Sequence, residues 1–163
     1  YVAVLEALFL LELLPPWHSN RLTRMIKTPK LHMVDTGLAS ALLGVNQEFL
    51  RKDRPLFGHL LESFVFQELR RLASFSEHRH RFHHFSDKEK KEVDIVIERD
   101  GVLVAGIEVK ASSTVLPRDF LGLIKLRDAM GERFVQGVVM YDGENVLTFG
   151  DRLYAVPIAS LWT

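Results

Sequence analysis

Cysteine is absent from the sequence, which excludes disulfide bonds, zinc sites with thiolate ligands and cysteine nucleophiles. The formal net charge is zero, so local charge rather than a uniformly basic surface must account for any contact with nucleic acid. The apolar opening run, residues 2–14, is too short for a membrane span and lacks the basic flank and cleavage site of a signal peptide. These absences favour a cytoplasmic protein that does not contact a membrane.

The most informative pattern lies in residues 92–110, where apolar and polar side chains alternate along two consecutive segments. This period of two predicts a β-hairpin, and packing its two apolar sets together requires a loop of odd length. The tripeptide Arg99–Gly101 fits such a loop, with glycine at the left-handed position. In this register Asp94 pairs with Gly106, and Glu98 pairs with Val102.

Three residues of this hairpin indicate a metal-dependent phosphodiesterase. Asp94, Glu108 and Lys110 are predicted to share one face, with Asp94 and Glu108 about 7–8 Å apart as diagonal neighbours. Magnesium takes one or two carboxylates together with waters and substrate phosphate, so these two acids are the expected ligands. Lys110 would orient the attacking water or stabilise developing negative charge. The alternative is a solvated polar face at a sheet edge, because Glu-x-Lys is a common pattern.

The rest of the chain predicts an α/β fold in which a helix, three strands, a helix and a strand follow one another. Residues 47–55 are polar and predict a connector. Helix signals cover residues 1–8, a short segment from Asp35 or Thr36 to about Gly44, and residues 57–74 and 117–130. Strand signals outside the hairpin cover residues 9–14, 30–34, 80–86, 134–141, 145–149 and 153–157.

This order of elements, with Asp94 and Glu108-x-Lys110 on neighbouring strands, resembles the PD-(D/E)xK (restriction-endonuclease-like) phosphodiesterases and their αβββαβ core. The resemblance covers roughly residues 56–141. It implies that Asp94 and Glu108 bind Mg²⁺ or Mn²⁺ and that Lys110 acts at the attacking water. It also implies a further acidic metal ligand on the first core helix, where Glu62 stands. Val93 occupies the position at which the motif name has proline.

A closer resemblance covers nearly the whole chain, through residues 5–10, 14–17, 27–38, 92–97 and 107–112. These segments are similar to a prokaryotic family of ATPases in which an AAA-type module precedes a winged-helix connector and a nuclease-like C-terminal domain of unknown function. The resemblance implies the end of the connector over residues 1–46 and the nuclease-like domain over residues 47–163. It also implies that the ATPase module, and ATP with it, belongs to a longer protein, since this sequence starts at Tyr1 and contains no Gly-x-x-x-x-Gly-Lys-Ser/Thr loop.

Local basic charge suggests contact with DNA. The basic turn and strand start at residues 21–30 would grip DNA as a wing does, or would dock the ATPase module. Trp17, before this turn, is predicted to be an exposed stacking group or a partner contact. A second basic region near residues 81–91 would contact phosphates, with a solvated loop as the alternative. The expected nucleic-acid-binding residues are Arg21, Arg24, Lys27, Lys30, Arg81 and Lys88.

Histidines raise a zinc alternative, since neutral imidazole is a common zinc ligand. The cluster at residues 78–84 lies within a predicted strand and is interleaved with arginine and phenylalanine, and no helical His-x-x-x-His pair accompanies it. The sequence therefore favours a Mg²⁺-dependent (or Mn²⁺-dependent) nuclease domain that acts on DNA beside an AAA-type ATPase module of the same full-length chain, with homo-oligomerisation open. The alternative is a non-catalytic DNA- or protein-binding module that regulates the ATPase.

Overall fold

The computed structural model describes residues 1–17, 28–89 and 91–162. Within them the α-helices are α1 Val2–Ala7, α2 Thr36–Leu43, α3 Gln47–Lys52, α4 Arg54–Ala73 and α5 Leu121–Met130. The strands are β1 Leu11–Leu14, β2 Lys30–Met33, β3 His80–Ser86, β4 Glu92–Arg99, β5 Leu103–Lys110, β6 Phe134–Tyr141, β7 Leu147–Gly150 and β8 Leu153–Pro157. Short 3₁₀ turns cover Pro117–Phe120, Gly131–Arg133 and Ile158–Trp162.

The central element is a six-stranded mixed sheet in the order β3-β4-β5-β6-β8-β7. Strands β3, β4 and β5 are antiparallel, β6 runs parallel to β5, and β8 runs parallel to β6. Helix α5 lies between the parallel strands β5 and β6 in the chain, as a parallel connection requires. The predicted mixed α/β fold and its order of elements are therefore confirmed.

Two apolar cores lie on opposite faces of this sheet. Leu123 and Leu126 of α5 pack with one set of strand residues, whereas Val65 and Phe66 of α4 pack with the other. Consecutive residues of β6 divide between the two sets, as the pleat of a strand buried on both faces demands. The sheet therefore holds α4 and α5 in fixed positions on either side of the ends of β4 and β5.

Side-chain caps set the helix boundaries before the sheet. The Leu38 N–H donates to the Asp35 carboxylate at 2.8 Å, and α2 ends close to Gly44, as predicted, with Gly44 in the left-handed conformation. The prediction of a connector over residues 47–55 is wrong, because Asn46 caps helix α3 and Asp53 caps α4. Two polar residues that resemble a loop signal are N-caps here, so α4 starts three residues earlier than the helical periodicity indicated.

The hairpin of β4 and β5 has a register two residues away from the predicted one. Arg99 pairs with Leu103, and the loop is residues 100–102 instead of 99–101. Asp100 and Gly101 both have positive φ, 54° and 72°, and the Val102 N–H donates to the Arg99 carbonyl at 3.0 Å. Aspartate tolerates this conformation better than most residues, which lets the turn form one position later.

The predicted pairing of Asp94 with Gly106 is therefore wrong, as is that of Glu98 with Val102. Gly106 pairs with Val96, and a Cβ on it would lie 2.7 Å from a methyl carbon of Leu123. Gly106 makes room for helix α5 and not for a ligand. Because the slip is two residues, the loop remains odd and the face of each hairpin residue is unchanged by the slip itself.

A β-bulge in β4 changes the direction of Asp94. Asp94 and Ile95 together lie opposite the single residue His84, where the pairing of β3 and β4 shifts. Val93 and Val96, three positions apart, consequently both pack into the core on the α5 side, while Ile95 packs on the α4 side. A bulge of this kind re-aims a side chain, and here the Asp94 carboxylate meets groups from β2 and α4.

The segment before residue 18 is fastened to the outer strand of the sheet. The His84 N–H donates to the Pro15 carbonyl at 3.0 Å, and the Trp17 N–H donates to the His84 carbonyl at 2.7 Å. Trp17 is 3% exposed and belongs to the core on the α5 side, so both predictions of an exposed role for it are wrong. Leu14 reaches the other core. No helix among the described residues has the length and apolar character that a membrane crossing requires.

Gly122 tests the packing of α5 on β4. A Cβ at Gly122 would lie 1.8 Å from the Glu92 carbonyl oxygen, whereas a Cβ at Gly58 in α4 would meet nothing within 4 Å. We expect Gly122→Ala to lower the free energy of unfolding by at least about 2 kcal/mol through overpacking. Gly58→Ala should raise it by about 0.5–1 kcal/mol, because alanine favours helix. Urea unfolding of both variants measures this, and equal effects would contradict the packing described.

Candidate functional site

The three acids and the lysine predicted for the site lie where α4, β4 and β5 approach one another. Glu62 is in the middle of α4, Asp94 is at the bulge of β4, and Glu108 and Lys110 are at the end of β5. Asp94 and Glu62 open into a surface pocket of about 470 Å³. Its lining residues are Lys30, Leu31, His32, His59, Glu62, Ser63, Glu92 and Asp94.

Lys30 is the residue that joins Glu62 to Asp94. Its ammonium nitrogen donates to Glu62 Oε1 at 2.7 Å and to Asp94 Oδ1 at 2.9 Å. Burial by itself would lower the pKa of Lys30, but attraction to Asp94 and Glu62 outweighs it and holds the pKa above its usual range. Lys30 is therefore a charged, partly buried residue of the site. The sequence predicted it only as a residue that contacts DNA.

Asp94 is held from its other side by the backbone of β5. The Val109 N–H donates to Asp94 Oδ2 at 2.9 Å, so each carboxylate oxygen has one partner. This bond crosses from β4 to β5 and fixes the carboxylate beside Glu108, near the end of β5. Asp94 thus contacts Lys30 through one oxygen and, through the other, the β5 backbone next to Glu108.

Glu108 and Lys110 form the second half of the site. The Lys110 ammonium lies 3.1 Å from Glu108 Oε1 and 3.9 Å from Asp119 of the 3₁₀ turn Pro117–Phe120. Burial and the nearby Asp94 charge raise the pKa of Glu108 to about 8, against the opposing effect of Lys110. Burial tends to lower the pKa of Lys110, but Glu108 attracts its charged form more strongly and the pKa is raised. Glu108 Oε2 is buried and has no hydrogen-bond partner among the described residues.

Glu62 rests on a second layer of polar residues that sequence reasoning did not identify. Burial and the Asp94 charge raise the pKa of Glu62, while Lys30 opposes them. His32 Nδ1 lies 3.0 Å from the Ser63 hydroxyl, and its ring packs 4.7 Å from that of Phe66. Burial and the Lys30 charge lower the pKa of His32 to about 4, so it is neutral near pH 7 and serves as a spacer between β2 and α4. No local sequence signal marks this pair, because 31 residues separate them.

The carboxylate oxygens of the site determine which metal ion it could hold. Among the described residues, no three His, Asp or Glu side chains converge on one point, and this holds for the histidines of β3 as well as for the acids. Magnesium does not need such a cage, since it commonly takes one or two carboxylates and completes its shell with water and phosphate. Asp94 and the unpartnered Oε2 of Glu108 fit that smaller donor set. The predicted ligand role of Glu62 stays a prediction.

The residues predicted to bind nucleic acid are dispersed. Arg81 is exposed and pairs with Glu98, four residues along β4 from Asp94, which is about 13 Å. Lys88 is exposed in the turn after β3. Of the six candidates, Lys30 alone is brought to the acids within the described part of the chain. Three of them, Arg21, Arg24 and Lys27, lie outside the described residues.

The pKa of Glu108 predicts how stability depends on pH. Its folded value of about 8 lies above the ordinary value of 4.5, so between these pH values the folded protein binds the extra proton. The stabilisation is complete below pH 4.5 and is lost as the pH rises through 8. In the presence of EDTA, we expect the melting temperature to fall from pH 5 to pH 9, and Glu108→Gln to flatten that fall. Part of the fall in melting temperature should remain in this variant, because the pKa of Glu62 is also raised.

The control for this experiment is Glu48→Gln, which removes an exposed carboxylate that pairs with Lys52 on α3. It should leave the pH profile as in the wild type. A Glu108→Gln variant whose melting temperature falls as steeply as that of the wild type would contradict the raised pKa.

Comparison with known proteins places the chain in context. It is 26% identical over 165 residues to the uncharacterised proteins Mb2031c of Mycobacterium bovis and Rv2008c of Mycobacterium tuberculosis. The alignment covers all of this chain but 35% of each relative, so the chain spans about a third of their length. A domain of unknown function named DUF8612 matches residues 1–48. A second one, DUF4143, matches residues 57–161, which is more than half of the 163 residues and includes Glu62, Asp94, Glu108 and Lys110. The chain therefore belongs to the DUF4143 family.

Proposed function

We propose that this protein is a divalent-metal-dependent phosphodiesterase with a PD-(D/E)xK-like site, and that its substrate is DNA. The observation that carries the proposal is the grouping of Asp94, Glu108 and Lys110 at the adjoining ends of β4 and β5. Asp94 is fixed by the Val109 N–H at 2.9 Å, and Lys110 lies 3.1 Å from Glu108. Glu108 also has a buried oxygen that finds no partner in the part of the chain that the structure describes. The sheet order of three antiparallel strands followed by a parallel one agrees with the αβββαβ core.

Asp94 and Glu108 would hold one Mg²⁺ or Mn²⁺ ion. When bound, such an ion neutralises charge on the phosphate and lowers the pKa of a water molecule that it coordinates. Its charge would also favour the ionised form of Glu108, whose pKa without metal is about 8. Loading should therefore release a proton and should be tighter above pH 8 than below it.

Lys110 would act as a positive charge and not as a base. Its pKa is raised by Glu108, so the amine carries its proton near neutral pH. From this position it stabilises the negative charge that develops on the phosphate and orients the attacking oxygen. In the proposed hydrolysis, a water oxygen bonds to phosphorus and one phosphorus–oxygen ester bond breaks. The leaving alkoxide takes up a proton, which yields a phosphate monoester and an alcohol.

The substrate and partner proposals rest on different grounds. Lys88 is exposed in the turn before β4 and is proposed for a phosphate contact. The connector character proposed for residues 1–46, with an AAA-type ATPase module before it, is supported by two facts. A separate family model matches residues 1–48, and the mycobacterial relatives are about three times longer than this chain. ATP would then act through that module.

A second candidate function is a non-catalytic module that binds DNA or protein. The observation in its favour is the Lys30 ammonium, which pairs with both Glu62 and Asp94 without any metal. Removing one partner from such a partly buried charged group leaves another charge unpaired, so a structural role alone can account for the group.

Nuclease assays on labelled single-stranded and double-stranded DNA, with Mg²⁺ or Mn²⁺, separate the two candidates. We expect cleavage by the wild type and a loss of at least about 100-fold in rate for Asp94→Asn and for Lys110→Met, because each removes a charge that acts on the transition state. Lys52→Met is the matched control, since Lys52 is exposed and pairs with Glu48. Cleavage that persists in both site variants would sink the proposal. A folded wild type that binds DNA without cutting it would favour the binding module.

A further inference from the structure

We propose that Lys30 is a fixed cation that occupies the space between Glu62 and Asp94, so that the site takes one divalent ion at Asp94 and Glu108 and not two. This inference rests on the proposed function and assigns Lys30 and Glu62 their roles within it. Glu62 positions Lys30 and is not itself a metal ligand.

The contacts of Lys30 have the geometry of a bound cation. Its nitrogen lies 2.7 Å from Glu62 Oε1 and 2.9 Å from Asp94 Oδ1, both within the range of charge-assisted hydrogen bonds. The side chains of Lys30, Glu62 and Asp94 are 26%, 17% and 11% exposed. Water therefore screens these charges poorly, and a second cation entering between the two acids would be repelled by the ammonium.

Lys30 is also held in place by the strand from which it projects. It is the first residue of β2 and pairs with Leu14 of β1, and Leu14 is buried in the core on the α4 side. Two residues further along β2, His32 packs on Ser63 and Phe66 of α4. Moving β2 would expose this packing, so the backbone that carries Lys30 is fixed, and the ammonium itself is held by Glu62 and Asp94.

Asp94 keeps acceptor capacity for a metal beside its bonds to Lys30 and the Val109 N–H. A carboxylate oxygen has two lone pairs, so Asp94 can hold Lys30 and one further cation. Within residues 1–17, 28–89 and 91–162, Glu108 Oε2 is buried without a partner, whereas Glu62 Oε1 accepts a hydrogen bond from Lys30. The two halves of the site thus differ. Lys30 bridges both acids of one half, whereas Lys110 contacts Glu108 Oε1 in the other half and leaves Oε2 as an unused acceptor among the described residues.

The test is the number of Mn²⁺ ions bound, measured by calorimetry on folded, metal-free protein. We expect one ion for the wild type and for the control Lys52→Met. Lys30→Met removes the fixed charge and should bind two ions, and adding Glu62→Gln to it should return the number to one. Lys30→Arg retains the charge and should bind one ion.

Two ions bound by the wild type, or one ion bound by folded Lys30→Met, would overturn the inference. If circular dichroism shows that Lys30→Met is unfolded, Glu62→Gln alone decides. It should bind one ion with an affinity within about threefold of the wild type, and loss of that ion would make Glu62 a ligand and refute the assignment.

The same experiment distinguishes failure of the proposed metal site from failure of the role assigned to Lys30. A wild type that binds no ion refutes the metal site at Asp94 and Glu108. The assignment of Lys30 would still stand if Lys30→Met then gained one ion that Glu62→Gln abolished. Lys30→Met that binds no ion either would refute both.

Discussion

The bulge in β4 is the constraint on which the whole site depends. Strict alternation would turn Asp94 to the same side as Val96, towards Leu123 and Leu126 of α5, where a carboxylate would lose hydration without gaining a partner. The extra residue opposite His84 resets the alternation, so that Val93 and Val96 both reach the α5 core and Asp94 turns towards Lys30. A single irregularity in pairing therefore satisfies both hydrophobic cores and creates the acid cluster between them.

Charge balance explains how three acids can stand so close together beneath the surface. Glu62, Asp94 and Glu108 face two ammonium groups, those of Lys30 and Lys110. Burial and the Asp94 charge raise the pKa of Glu108 to about 8, which favours a proton on this acid near pH 7 and lowers the repulsion between it and Asp94.

Local signals in the sequence were sufficient for most elements and for part of the site. Alternation and an odd loop predicted the β4–β5 hairpin, and Asp35 and Gly44 predicted both ends of α2. The register was missed because Asp100 as well as Gly101 adopts a positive φ, which shifts the turn by one residue. The bulge at Asp94 and the arrival of Lys30, 64 residues distant in sequence, arise from tertiary packing that no local pattern encodes. Glu62 was predicted from a family resemblance and not from the residues around it in the sequence.

The backbone clamp on His84 has a consequence for solubility. Strand β3 is the first strand of the sheet, and an outer strand with free N–H and carbonyl groups is a template for pairing with other chains. Pro15 and Trp17 use both backbone groups of His84 and bury the indole behind them, so the middle of this edge is closed to a foreign strand. The segment that leads to Lys30 thereby also guards the sheet against edge-to-edge aggregation. Truncation of the first seventeen residues would uncover that edge and an apolar cavity together.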